Sequence, residues 1–279
     1  RSFIHHREIM EGGVLHFEMG SRPARRHWRQ PGERPRMEIT DELILPVPYI
    51  LSSERRIRDS LPVIIEHMWP GTEVFISTDG HTPDQSSASF RGELTLTEST
   101  VVKAVAWSEE RGYSHVTEAE FFKMDLDKKV ELLSRHSPSY HGGGPEALID
   151  GVRGADNWRL GGWQGYQGTD FEAIIDLGSI QEISYLGAGF IQDIRSWIWM
   201  PVDLSFMVSE DGEHFTEVLT LGHDISDDDY SLQRIDLGDS LQSRGRYVRV
   251  HARNYGRIPD WHLGAGGNAF IFVDEVFIR

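Results

Sequence analysis

Short runs of alternating apolar and polar residues, broken by Gly, Pro, Asp and Asn, dominate the chain from residue 37 onward. A period of two puts alternate side chains on opposite faces of a strand. Leu61, Val63 and Ile65 alternate with Pro62, Ile64 and Glu66, and Leu94 and Leu96 alternate with Thr95 and Thr97. Residues 73–78, 100–107 and 118–124 are further β-rich runs, and Leu43-Ile44-Leu45 leads into Pro46 and Pro48. The run at 73–78 ends in Asp79-Gly80, a pair that tolerates the positive φ of a tight turn and so predicts a hairpin. About seven short strands at a spacing of roughly 8–12 residues, with no amphipathic helix, is the pattern of a small immunoglobulin-like sandwich over 37–125.

The pattern continues to the end of the chain. Strands are predicted at 173–176, 183–190, 202–209, 216–221, 233–237, 247–252 and 270–278, with Asp211-Gly212 as a second hairpin signal. One short helix is predicted near 126–134. Two long connections, 191–201 and 253–268, stand out, and long loops in a compact sandwich tend to carry function. At the other end, Gly12-Gly13 is a turn, 14–19 a short strand, and Pro23, Pro31, Gly32 and Pro35 mark a polar linker. The expected class is all-β, in two domains (37–125 and 126–279) after an N-terminal segment (1–36).

Charge and composition narrow the function. The net charge is −16, which argues against nucleic acid, whose phosphates need a basic surface. Residues 1–36 hold eight Arg and four Glu, so they are basic and the remainder is strongly acidic. That asymmetry fits either a unit of different origin or a short basic stretch docking on acidic neighbours. There is no cysteine, which excludes disulfides and thiolate zinc sites but leaves secretion open. No apolar run reaches the 18 or so residues that span a bilayer, so no membrane insertion is expected. The chain begins Arg-Ser-Phe, with neither an initiator Met nor a signal peptide, and reads as a piece of a longer polypeptide.

Three kinds of chemistry are candidates. Calcium takes carboxylate and carbonyl oxygens, and Asp150, Asp156 and Asn157 in one loop with Glu275 in the last strand could supply them. An Asx-turn at Asp150 and an ordinary salt bridge at Glu275 account for the same residues. Carbohydrate sites stack an aromatic ring on the C–H face of a sugar and hydrogen-bond its hydroxyls. Trp163 and Tyr166 share one loop; Asp193, Arg195, Trp197 and Trp199 a second; Asn254, Tyr255, Arg257, Trp261 and His262 a third. Of these, Trp199 beside Met200-Pro201 is expected in the core, and Trp261 could plug the end of the sandwich. Catalysis finds no support: Asp227-Asp228-Asp229 reads as solvated surface, Gly264-Ala265-Gly266-Gly267 lacks a nucleotide-loop pattern, and no nucleophile motif appears.

Resemblances connect these parts. Ala147-Leu148-Ile149-Asp150-Gly151, Asp176-Leu177-Gly178, Val208-Ser209-Glu210-Asp211-Gly212, Arg246-Tyr247-Val248-Arg249-Val250 and Asp274-Glu275-Val276 resemble the factor V/VIII type C (discoidin-like) jelly-roll β-sandwich, as in carbohydrate-binding module family 32. Trp163-Gln164-Gly165-Tyr166 and Pro259-Asp260-Trp261-His262 look like the version appended to bacterial exo-glycosidases. The resemblance implies a structural calcium at Asp150 and Glu275 and a glycan as ligand. Residues 74–83, 89–90 and 100–106 resemble the chitobiase/β-hexosaminidase C-terminal domain, a fibronectin III-like sandwich, with Ile-Ser-Thr where Tyr-Thr usually precedes Asp-Gly. Residues 6–20 resemble the closing segment of family 92 glycoside hydrolases, calcium-dependent exo-α-mannosidases. That implies a catalytic domain upstream of residue 1 as partner and a secreted, periplasmic or cell-surface bacterial location. A family 20 β-N-acetylhexosaminidase parent and a stand-alone adhesion module are the alternatives.

Overall fold

A computed structural model describes residues 6–14, 16, 20 and 44–279. The chain divides into two compact units, 1–44 and 45–279. In the first, His6–Met10 form a short helix, α1, and the amide of Gly12 donates to the Ile9 carbonyl at 3.1 Å. The expected strand at 14–19 lies mostly outside the described residues, as do the linker at 21–36 and the segment 37–43.

The second unit is all-β, with helical structure limited to three single 3-10 turns. Its first nine strands are β1 (Tyr49–Leu51), β2 (Arg56–Ile57), β3 (Leu61–Glu66), β4 (Glu73–Ser77), β5 (Ala88–Ser89), β6 (Gly92–Leu96), β7 (Thr100–Ser108), β8 (Gly112–Tyr113) and β9 (Thr117–Lys123). They form one sheet of order β1-β3-β6 and a second of order β2-β9-β7-β4-β5, with β8 on β7. The alternation in β3 sends Leu61, Val63 and Ile65 into a core shared with Val74, Ile76, Val102, Ala104 and Phe121 of the facing sheet. Asp79-Gly80 closes no tight hairpin: residues 78–87 join β4 to β5. Asp79 instead accepts the amide of His81 at 3.2 Å, with Gly80 at φ 88°.

The remaining strands are β10 (Lys129–Leu132), β11 (Gln164–Gln167), β12 (Phe171–Gln192), β13 (Leu204–Ser209), β14 (Thr216–Leu221), β15 (Gln233–Ala252) and β16 (Phe270–Ile278). They pair in the order β11-β16-β12-β15-β13-β14, with β10 on β12. β12 and β15 are each one long strand where two short ones are predicted. Register shifts between Asp176 and Gln181 and between Ile183 and Tyr185 bend them, so the first half of β12 pairs with the second half of β15 beside β10 and β13. The second half of β12 lies beside β16. The sheet thus folds over on itself, and Phe171, Ile175, Phe190, Phe206, Val250 and Val273 from both halves meet in one core. Fully burying such a side chain contributes roughly 1.5–3 kcal/mol; a one-residue slip would turn the whole inward set to solvent.

The predicted helix at 126–134 is instead β10. Val130 and Leu132 pack on the core while the strand pairs Lys129 with Asp176 and Leu132 with Ala173, so period two prevails over helix-forming Leu, Lys and Glu. The loop before β11 meets the first sandwich: Arg58 pairs with Glu146 at 3.0 Å, and the Arg56 guanidinium lies 3.7 Å from Asp150. Gly151, at φ 79°, leaves no room for a Cβ, which would fall 2.9 Å from the Phe122 ring.

Candidate carbohydrate-binding face and buried carboxylate pair

Four connections converge near the Phe270 end of β16. Residues 158–163 reach 193–197 through the Trp158 indole, which donates to Asp193 at 2.9 Å, and through Arg159, which donates to Ser196 at 3.2 Å. Residues 193–203 are pinned to β16 by Phe270 N–H donating to the Trp197 carbonyl at 2.7 Å and Trp199 N–H donating to the Phe270 carbonyl at 3.0 Å. The Trp199 indole donates to the Asp227 carbonyl at 2.9 Å, which brings in 222–232. Tyr255 stacks on Trp199, with ring centroids 5.3 Å apart, and its hydroxyl donates to Asp227 at 2.6 Å, which brings in 253–269. Burial, and then the Asp227 carboxylate, push that phenol up to about 12.

Aromatic rings continue outward from Trp199. His262 packs edge-on against Trp199 at 5.1 Å, Tyr230 stacks on His262 at 5.9 Å, and Trp261 stands edge-on to Tyr230 at 6.4 Å. The ladder runs from a buried indole to rings that are 39% (Tyr230) and 49% (Trp261) exposed. Trp197 is a second outward ring, 39% exposed and held at φ 67°, the one non-glycine residue with positive φ among those described. Its indole rests on Gly264 and Gly267: a Cβ on Gly264 would lie 2.5 Å from Trp197 Nε1. One face of the ring is thereby backed by glycine backbone. Arg195 is exposed beside it, and Arg257 is held by the Gly266 carbonyl at 2.6 Å.

Several expected sugar contacts lie elsewhere. Trp163 is 2% exposed, donates to the Ala155 carbonyl at 2.8 Å and packs with Trp158 and Phe272. Tyr166 is 0% exposed; its hydroxyl donates to Gln164 at 2.8 Å, and burial raises its pKa. Both are core residues that no ligand reaches, because 164–167 is a strand with Tyr166 facing inward. Asn254 is a buried staple: its amide donates to the carbonyls of Tyr166 (3.2 Å), Thr169 (3.0 Å) and Ala269 (3.3 Å), and its oxygen accepts the Gly256 amide at 2.8 Å. His262 is buried and accepts the Gly264 amide at 3.0 Å. Tyr255 backs Trp199, which is core as expected, and Trp261 stands outward rather than plugging the sandwich. Of the expected contacts, Arg195, Trp197, Arg257 and Trp261 present themselves to solvent. Tyr230 was not expected; its signal was an aromatic closing the Asp227–Asp229 run.

The expected calcium ligands separate into two places. Asp150 and Glu275 are both buried and adjoining: Gly151 N–H donates to both Glu275 oxygens, at 3.1 and 3.2 Å, and Val152 N–H to Asp150 at 2.7 Å. Burial lifts Asp150 to about 6. Burial, and then the Asp150 charge, lift Glu275 to about 8. Asp156 and Asn157 are not with them. Asp156 is exposed and pairs with Arg234 at 3.2 Å, and Asn157 accepts the Arg159 amide at 3.3 Å, capping the 3-10 turn Trp158–Leu160. Arg234 also reaches Asp274, whose side chain leaves β16 on the face opposite Glu275. Asp274 is fully buried between Arg153 and the Gly154 amide, at 2.9 and 3.0 Å, and its Oδ1 has no hydrogen-bond partner. Among the described residues no group of three or more His, Asp or Glu is placed to hold a metal. A cation at Asp150 and Glu275 would need backbone carbonyls as well.

No protein-family model matches the chain, and no curated protein matches it. Solved structures with a similar fold include CpGH89CBM32-6 from Clostridium perfringens, 16% identical over 56% of this chain and 95% of that one, TM-score 0.34. CpGH89CBM32-5 from the same organism, solved with GalNAc-beta-1,3-galactose, is 16% identical over 55% and 94%, TM-score 0.34. The C-terminal domain of a chitobiase from Bacteroides fragilis is 18% identical over 55% and 93%, TM-score 0.33. At these values the chemistry of the face rests on its own geometry.

Proposed function

We propose that this chain binds carbohydrate at the loop end of its discoidin-like sandwich, as a non-catalytic accessory region of a glycoside hydrolase. The observation that carries the reading is a pair of half-exposed indoles on rigid backing. Trp197 lies on Gly264 and Gly267, and Trp261 ends a ladder of packed rings. A pre-positioned ring loses little conformational entropy on meeting the C–H face of a sugar, which makes it a binding platform. The finer reading divides the chain into a catalytic-domain tail with linker (1–36), a chitobiase-type sandwich (37–125) and the discoidin-like module (126–279). It makes the parent a secreted or periplasmic exo-α-mannosidase, on the motif at 6–20. A calcium ion held by Asp150 and Glu275 belongs to the same reading. The two carboxylates fit it, because both are buried and adjoining, and the Arg56 guanidinium, 3.7 Å from Asp150, is the one ion-pair partner of either among the described residues.

A glycan array followed by calorimetry on the full chain, with Trp197→Ala and Trp261→Ala alongside, tests the proposal. Binding that either variant weakens about tenfold or more supports it. An array with no glycan bound would leave packing against the catalytic domain as the role of this region.

A further inference from the structure

We infer that Arg56, supplied by the first sandwich, forms one wall of the buried carboxylate site in the second and competes with a divalent cation there, so that cation binding and the contact between the sandwiches oppose each other; this rests on the calcium reading above and adds to it a residue that sets affinity. The site and the contact are built from one short stretch of chain. Toward the site, Gly151 N–H donates to both Glu275 oxygens, at 3.1 and 3.2 Å, and Val152 N–H donates to Asp150 Oδ1 at 2.7 Å. Toward the first sandwich, Gly151 lies against the Phe122 ring, the Arg56 guanidinium is 3.7 Å from Asp150 Oδ2, and Arg58 pairs with Glu146 at 3.0 Å. Arg56 and Phe122 are opposite each other where β2 pairs with β9, so one strand pair presents both.

Arg56 acts here as a counter-charge rather than as a donor. At 3.7 Å it is an ion pair without a hydrogen bond, and its Nε lies 3.5 Å from the exposed Glu54. A guanidinium held by charge alone can be displaced by a better cation. A hard divalent ion takes oxygens from both carboxylates, and a guanidinium beside the same Asp150 repels it, little screened because the carboxylates are buried. Glu275 also lines a cavity of about 160 Å³ with Lys128, Ile149 and Ile278, none of which belongs to the first sandwich. The ion thus has a route to the pair that does not pass Arg56. Whatever factor Arg56 takes from the affinity for the ion, the bound ion takes from the Arg56 contact, because such coupling is reciprocal.

The test titrates calcium by calorimetry into the full chain, stripped of metal with chelator, and into its Arg56→Gln and Arg58→Gln variants. Arg56→Gln is expected to bind calcium about tenfold tighter. Arg58→Gln removes a charge from the same contact but one that faces Glu146, and should stay within about twofold of the native chain. Urea unfolding reads the reciprocal effect: Arg56→Gln should be less stable than the native chain in chelator, and a fixed calcium concentration should stabilise it more. Calcium bound by Arg56→Gln and not by the native chain is the extreme form of the same competition and supports it. Equal or weaker binding by Arg56→Gln, an equal gain in Arg58→Gln, or equal stabilisation of the native chain and Arg56→Gln by calcium overturns the inference and leaves the calcium reading standing. No calcium bound by either the native chain or Arg56→Gln overturns both and leaves carbohydrate binding untouched.

Discussion

Replacing Glu275 with Gln should alter how stability depends on pH, and the size of the change follows from the burial of one carboxyl group. Glu275 is lifted from 4.5 to about 8, first by burial and then by the charge of Asp150. A raised acid pKa means the folded protein keeps a proton that the unfolded chain has already released. Stability is therefore greatest below about pH 4.5, falls as pH rises, and levels off past about pH 8. Each pH unit of that gap is about 1.4 kcal/mol, so the loss is on the order of 3 kcal/mol at pH 7 and 5 kcal/mol beyond pH 8. Asp150, lifted from 3.8 to about 6, steepens the acid end of the same slope.

A divalent cation between the two carboxylates would favour their ionised forms and flatten the slope. At a hundred times its dissociation constant it would add about 2.7 kcal/mol. Urea unfolding at pH 5, 6, 7 and 8, in chelator and in calcium, reads both effects. In chelator the native chain should lose a few kcal/mol between pH 5 and 8, and Glu275→Gln should lose much less. In calcium the native chain should recover and the variant should not respond. A native stability that is flat across this range in chelator, or an unchanged slope in Glu275→Gln, would refute the electrostatic argument. A native slope that calcium leaves untouched would remove the metal alone.

Two further outcomes follow from the same geometry. Asn254→Leu strips the donor from the carbonyls of Tyr166, Thr169 and Ala269 and should cost about 2–4 kcal/mol in urea unfolding; an unchanged midpoint would mean those carbonyls find other donors. Gly264→Ala puts a Cβ 2.5 Å from Trp197 Nε1, so it should displace the ring and weaken glycan binding about tenfold while costing about 1–3 kcal/mol of stability. Unchanged calorimetric affinity would take Trp197 out of the binding face.

Apolar runs bounded by turn residues could be read directly: β3, β14 and β16 fall where they are expected, β3 with clean alternation. The errors share a cause, which is that pairing partners are invisible along the chain. Residues 129–132 are composed like a helix turn and become a strand because β12 offers an unpaired edge. Residues 177–182 and 238–246 look like connections because they are polar, yet they are the bends at which β12 and β15 pass from one layer to the other. Gln164-Gly165-Tyr166-Gln167 looks like a polar loop, although Gly165 is there because a Cβ would strike the Phe272 ring at 2.5 Å. Once that stretch is a strand, Tyr166 points inward and its ligand role disappears.

The candidate face was legible as a set of loops but not as a set of rings, and Trp163 and Trp197 show why. Both tryptophans lie against glycine. A Cβ on Gly154 would fall 2.3 Å from Trp163 Cε2, and one on Gly264 would fall 2.5 Å from Trp197 Nε1. The device is the same in both places, an indole laid on a glycine, although the two residues are near each other along the chain in the first pair and far apart in the second. The outcomes differ because of what lies over the other face. Trp163 is covered by the Arg234 guanidinium, 5.7 Å from the ring, and packs on Phe272, and its indole N–H is spent on the Ala155 carbonyl. Trp197 has no such cover, and its indole N–H has no acceptor among the described residues. Arg234 sits over Trp163 because Asp274 and Asp156 hold it there, through contacts that span 40 and 78 positions along the chain. The difference between these two rings is thus set by contacts distant in sequence, which is why ring identity and loop position alone could not separate core from platform.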